Sequence, residues 1–350
     1  MTLSLHDGLP QDRVAWSSLA EASTNVFLTP EWMQAWWERF GGGRRVLTVS
    51  GSDVLFVLCG SSAGPVRTLR FAGHGLADEL GPVCGDAAAR PSHAASLTRF
   101  LREHDVCDVL LGEQLPAALD WARSAGGQTI DRIPSPAVRF EHTSWDELFA
   151  SRSSKLRAQV RRDERVVQSA GPIELRLATD PDRLDADLDA LFAMHRERWG
   201  THSGFLAGGA EDFHRCFARL ALDRGWLRLW LLEVRGRPEA AWYGFRFGDC
   251  DAHYQSGRFS TCPRGGGTVL LTHAIRSALE DGLSEYRFLR GGEEYKLRWA
   301  NADRSLETVA VGVSRSGRAI AGLAGLASGG RARVLGRATR RVLLRPAIAG

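Results

Sequence analysis

Lysine is nearly missing from this chain: of its 45 basic residues only Lys155 and Lys296 are lysines. Long apolar runs are missing too, and no stretch approaches the roughly 20 residues of a membrane span, so no integral membrane segment is expected. The N-terminus, MTLSLHDGLPQDR, lacks the basic stretch followed by an apolar one that marks an export signal. Six cysteines are present, none in a CxxC pair. Neither a metal site nor a disulfide framework is therefore expected, and reduced, packed thiols in a cytoplasmic protein are. Acidic residues stop at Glu307. The 43 residues after it carry eight arginines, which take the chain from a net −4 to its +4. That tail mixes small apolar residues with arginine. It is expected to form a basic C-terminal helix over 314–350 that packs its apolar face on the body, with peripheral contact to anionic lipid or RNA phosphates as the alternative.

What is present suits a globular protein. Charged residues make up 25% of the chain and hydrophobic ones 44%, which excludes disorder, and 350 residues suffice for two domains. In NVFLTPEWMQAWWERFG, Thr29 is a helix N-cap, Pro30 takes the first helical position and Glu31 the first turn. Trp32, Trp36 and Trp37 give that helix a core face. RVLTVS and VLFVLCG read as an antiparallel pair, SHAASLTRFLREH as a helix and CDVLLGEQL as a strand. A helix over 116–125 and the strand AVRFEH complete an α/β layer, and prolines 134 and 136 mark a linker.

Beyond the linker, Ser144 and Glu147 stand in capping-box spacing. Leu156, Val160 and Val167 form a helical stripe surrounded by Lys155, Arg157, Arg161, Arg162 and Arg165. RLDADLDALFAMHRERWG aligns Leu184, Leu188, Leu191, His195 and Trp199 at helical spacing, with His195 expected to pack rather than ligate. LRLWLLEV, EAAWYGFRF and DAHYQSG form an antiparallel meander. RGGGT, at 264–268, then opens a helix whose bare N–H groups favour an anion. It is neither a Walker A loop nor GxGxxG. YRFL and LETVAVGV close the pattern.

This order of elements resembles the GCN5-related N-acetyltransferase (GNAT) fold, in its CelD-like branch akin to the Fem-type aminoacyltransferases. The resemblance rests on NVFLTPEWMQAWW, GHGLADELGPVC, SKLRAQVRRDERVVQSAG, HRERWG, YQSGRFSTCPRGGGTVLL and FLRGGEEYKLRWA. It departs from the family pattern at Arg287, where an aspartate is expected, and at Glu293 and Glu294. The resemblance implies an α/β (α+β) chain of two tandem GNAT-like domains, each a mixed, mainly antiparallel sheet flanked by helices. A degenerate N-terminal domain would span 1–140 and an acyltransferase domain 141–313.

It further implies transfer of an acyl group, acetyl first, from acyl-CoA to an amine of a small-molecule, amino-sugar or cell-envelope acceptor. Arg264, Gly265, Gly266, Gly267 and Thr268 would hold the donor's diphosphate. Its pantetheine would lie between strands 251–257 and 286–289. The candidates for the chemistry are Tyr254, Glu293 and Lys296, with His253, Glu294 and Tyr295 nearby, and strand alternation sends His253 and Tyr254 to opposite faces. Lys296 is expected either to contact substrate or to pair with Glu293 or Glu294. An aminoacyl-tRNA donor is the second reading, and a non-catalytic GNAT-shaped protein of polysaccharide biosynthesis the third.

Overall fold

The computed structural model describes residues 2–61, 66–86, 88–200 and 203–328. The chain divides into two compact units: residues up to Pro134 together with those from Arg304 onward, and residues Ser135–Asp303 between them.

The first unit begins with β1 (Ser4–Asp7), α1 (Arg13–Ser23), α2 (Pro30–Phe40), β2 (Arg45–Ser50), β3 (Val54–Ser61), β4 (Thr68–Phe71) and β5 (Val83–Cys84). It continues through α3 (Arg90–Glu103), β6 (Val109–Pro116), α4 (Trp121–Ser124) and β7 (Gln128–Ile133). Helix α2 starts as its sequence dictates. Thr29 Oγ1 accepts the Trp32 N–H at 3.2 Å, a cap worth about 1 kcal/mol. Trp32 and Trp36 are buried, each contributing roughly 1.5–3 kcal/mol by leaving water. Strands β2 and β3 pair antiparallel as expected. The helix expected over 116–125 is instead a 3₁₀ turn followed by the short α4, because Asp120 adopts a left-handed conformation between them. Strand β7 was not anticipated.

The second unit comprises β8 (Pro136–Arg139), α5 (Trp145–Ser151), α6 (Ser154–Ser169), β9 (Ile173–Leu177), α7 (Leu184–Trp199), α8 (Ala210–Asp223), β10 (Leu227–Val234), β11 (Arg237–Phe247), β12 (Cys250–Arg258), α9 (Gly266–Glu280), β13 (Glu285–Arg287), α10 (Glu294–Trp299) and β14 (Ala302–Asp303). Its seven strands lie in the order β14-β8-β13-β12-β11-β10-β9. Helices α6 and α9 pack on one face through Leu156, Val160, Leu270 and Ala274. The other face carries Phe205, Phe213, His214, Tyr243, Phe245 and Tyr254. Strand β8 corrects the expectation that AVRFEH closes the first half: it pairs with β13.

The chain then returns to the first unit through β15 (Leu306–Gly312) and α11 (Arg315–Ser328). Strand β15 pairs with both β6 and β7, so LETVAVGV joins the first sheet rather than the domain expected to run to residue 313. Helix α11 sets Ala321 and Ala324 against Val109, Leu111, Ile130 and Ala310. The rest of the basic tail lies outside the described residues. None of the six cysteines is in a disulfide, and five are buried. Among the described residues no helix is long and apolar enough to cross a membrane, and no three potential metal ligands cluster.

Candidate active site

The site grows from two irregularities in the second sheet. The first is a bulge. Between β11 and β12 the register runs Tyr243↔Gln255 and then Gly244↔His253, leaving Tyr254 as the extra residue. A side chain at Gly244 would sit 2.0 Å from the Ala252 carbonyl oxygen, so only glycine fits opposite the bulge. His253 stacks on Trp242, rings 3.7 Å apart and 19° from parallel. Tyr254 turns the other way, its ring 6.1 Å from Phe205 and 5.9 Å from Tyr243.

The second irregularity is a divergence. Strands β12 and β13 pair in parallel at Cys250↔Glu285, Asp251↔Tyr286 and Ala252↔Arg287 only. Beyond them β12 runs on to Arg258, whereas β13 stops and Leu289 turns the chain with a φ of 55°. A cleft of about 760 Å³ lies along this stretch. Its apolar wall includes Leu156, Trp242, Leu271 and Trp299, and its polar groups include Gln159, Ser256, Thr268 and Tyr295. Three arginines, Arg198, Arg258 and Arg298, line it without a single carboxylate.

At one end the cleft meets the start of α9. Gly265 holds a φ of +89°, and a side chain there would strike Asp163 at 2.5 Å. The turn spends the Gly266 N–H on the Pro263 carbonyl. Helix geometry gives the Gly267 and Thr268 N–H groups no intrahelical acceptor, and no side chain caps this end. A side chain at Gly267 would meet nothing within 4 Å, so space above these amides is open. Of the five residues expected to hold a diphosphate, Gly267 and Thr268 line the cleft. Gly265 and Gly266 shape the turn behind them, and Arg264 is exposed beside it.

At the other end is α10, not anticipated as a helix. Lys296 is 4% exposed. Its Nζ donates to the Arg290 carbonyl at 2.7 Å and meets Glu293 Oε2 at 2.9 Å. Of the two expected roles, the ion pair with Glu293 is present, and Lys296 itself does not line the cleft. Burial, and then that Lys296 charge, hold the His253 imidazole well below its ordinary pKa. Its Nδ1 is buried with no hydrogen-bond partner. Glu294 instead pairs with Arg298 at 2.6 Å. Tyr295 lines the cleft, with its phenol pushed up by burial and then by Glu293. Beneath it the Trp242 Nε1 donates to the Tyr286 hydroxyl at 2.7 Å.

Tyr254 is therefore corrected as a site candidate, since the bulge places its ring in the aromatic core of the opposite face. His195 is 2% exposed and bonds Ser203 Oγ at 2.6 Å, as a packed histidine. Sequence reasoning overlooked Trp242, Arg198 and Arg258. Arg198 stands in HRERWG and Arg258 a few residues before the glycine turn, so their signal was adjacency to motifs already singled out.

Residues 154–297 match the family model described as an acetyltransferase (GNAT) domain. No curated protein sequence matches the chain. Among solved structures, FemX is similar over 88% of this chain and 97% of its own, at 10% identity and a TM-score of 0.60. The C-terminal domain of a putative lysylphosphatidylglycerol synthetase from Agrobacterium fabrum is similar over 90% and 98%, at 14% identity and 0.53. A conserved protein of unknown function from Bacteroides thetaiotaomicron is similar over 88% and 99%, at 13% identity and 0.55. The bulged, diverging sheet and the glycine-opened helix lie inside the matched segment. The second unit thus carries a segment that matches the GNAT acetyltransferase domain, and the chain shares its fold with FemX.

Proposed function

We propose that this protein is an N-acyltransferase of the CelD-like branch, moving an acyl group, acetyl first, from acyl-CoA to an amine. The acceptor class is a small molecule, an amino sugar or a cell-envelope precursor, and the cytoplasm is the compartment where such donors are made. The observation that carries this reading is one continuous cleft with the start of α9 at one end and, along its side, the stretch of β12 that runs on past its pairing with β13. The amides of Gly267 and Thr268 suit a diphosphate, with the exposed Arg264 adding charge. The β12 residues Ser256, Gly257 and Arg258, which line the cleft, would offer backbone groups to a pantetheine arm. The thioester supplies the acyl group, and every other task falls to this chain.

A nucleophilic amine must be neutral, so its proton has to leave. Glu293, half-exposed beside Lys296, would take that proton through water. Tyr295 stays protonated and would donate from the cleft to the departing sulfur. Lys296 would act through its charge, stabilising negative charge near the inner end of the cleft and keeping His253 neutral.

A second reading, an aminoacyl-tRNA donor, draws support from Arg198 and Arg258 in the cleft and from FemX among the similar folds. Thermal-shift measurements with acetyl-CoA, longer acyl-CoAs and charged tRNA separate the two. A rise in melting temperature with CoA thioesters alone supports the first reading and with charged tRNA alone the second. No shift with any of them contradicts both and leaves a non-catalytic role.

A further inference from the structure

The geometry points to Arg198 and Arg258 as a two-pronged seat for one anionic group, phosphate or carboxylate, on the acceptor. Both side chains line the cleft. They are near enough for the Arg258 charge to oppose that of Arg198, after desolvation the largest influence lowering its pKa. Two guanidiniums on one cleft whose lining holds no carboxylate favour an anion between them.

The carboxylates on neighbouring elements lie outside the cleft lining and accept from other donors. Glu197 accepts the Ser260 N–H at 2.6 Å, and Glu239 accepts the Thr261 hydroxyl at 2.6 Å. Glu294 holds Arg298, which also donates to Gln159, so the third arginine of the cleft is neutralised. Arg198 is further fixed by stacking over Trp199, 4.8 Å from the ring centroid. Arg198 shares the cleft wall with Tyr295, the neighbour of Lys296 on α10, and its charge acts on that phenol. An acceptor with a phosphate or carboxylate beside its amine would thereby be anchored near the reacting atoms. Arginine suits this role because its planar fork binds such oxygens two at a time.

This inference rests on the cleft being the acyl-transfer site, and the same chemistry could also serve the donor's own 3′-phosphate. The test uses the full chain, with inorganic pyrophosphate as probe and calorimetry as readout. Pyrophosphate should bind the CoA-saturated protein. Arg198→Gln with Arg258→Gln should weaken it at least tenfold while the Kd values for CoA and 3′-dephospho-CoA change less than twofold. Among the described residues neither arginine has an ion pair, so the double variant should melt no lower than the parent. Loss of CoA affinity without loss for dephospho-CoA would assign the pair to the donor and overturn the proposal. Equal pyrophosphate binding by parent and double variant, or none by either, would overturn it as well. If CoA itself does not bind, the acyl-CoA reading fails separately. Pyrophosphate titrated into a Gly267→Asp chain, whose α9 end is closed to anions, then reads the arginine pair alone. A tenfold loss on adding both glutamines supports the seat, and no loss sinks it.

Discussion

At the scale of single residues, the buried lysine carries the sharpest consequence. Lys296 is held by a carbonyl and a half-exposed glutamate, in a space shaped for a compact ammonium. Lys296→Arg is expected to lower kcat at least tenfold while leaving acyl-CoA affinity within twofold. Steady-state kinetics beside calorimetry on the same variant checks this, and full activity would reduce the lysine to a structural ion. Glycine positions divide just as clearly. Gly265→Ala forces a left-handed φ on a residue with a side chain and drives it into Asp163, so about 2–4 kcal/mol of stability should be lost. Denaturant midpoints check that. The scarcity of lysine singled out Lys296 from sequence, but its burial was not legible there. That depends on α10 folding back against β8, which sequence periodicity over six residues does not reveal. Tyr254 illustrates the opposite failure: alternation correctly separated it from His253 but could not say which face held the cleft.

At the scale of elements, helix starts were the most legible features, because caps are local chemistry. Thr29 and Ser144, both read as caps, each accept an N–H at the start of a helix. The meander was legible through alternation. Edges and bulges were not, since they are set by what lies across the sheet, and β8 and β15 went to different sheets than their order suggested. Helix α11 is expected to be part of the first unit's core. Ala324→Glu would bury a charge against Val109 and Ile130 and should destabilise that unit by several kcal/mol. Limited proteolysis, with faster cleavage inside the first unit, is the readout.

At the scale of the whole molecule, buried histidines set the response to acid. Burial is the main reason that His74 and His214 are held down to about 3 and His253 well below its ordinary value. In the unfolded chain they take up protons below about pH 6.5. The unfolded state therefore binds more protons, and stability falls as pH drops from about 6.5 toward the folded values. The slope is about 1.4 kcal/mol per pH unit for each histidine that stays neutral. Melting temperature should accordingly decline steadily between pH 7 and 4.5, and His214→Phe should flatten the decline. A profile flat over that range would contradict the buried neutral imidazoles.

The central claim is that the start of α9 receives the donor's phosphates, and Gly267→Asp addresses it most directly. The side chain has open space, and a carboxylate in the first turn favours the helix, so the fold should hold or gain slightly in melting temperature. Calorimetric titration with acetyl-CoA should show binding to the parent chain and at least a tenfold loss in the variant, through repulsion at the amides. Acetyl-CoA binding equally well to both, or to neither, would contradict the account.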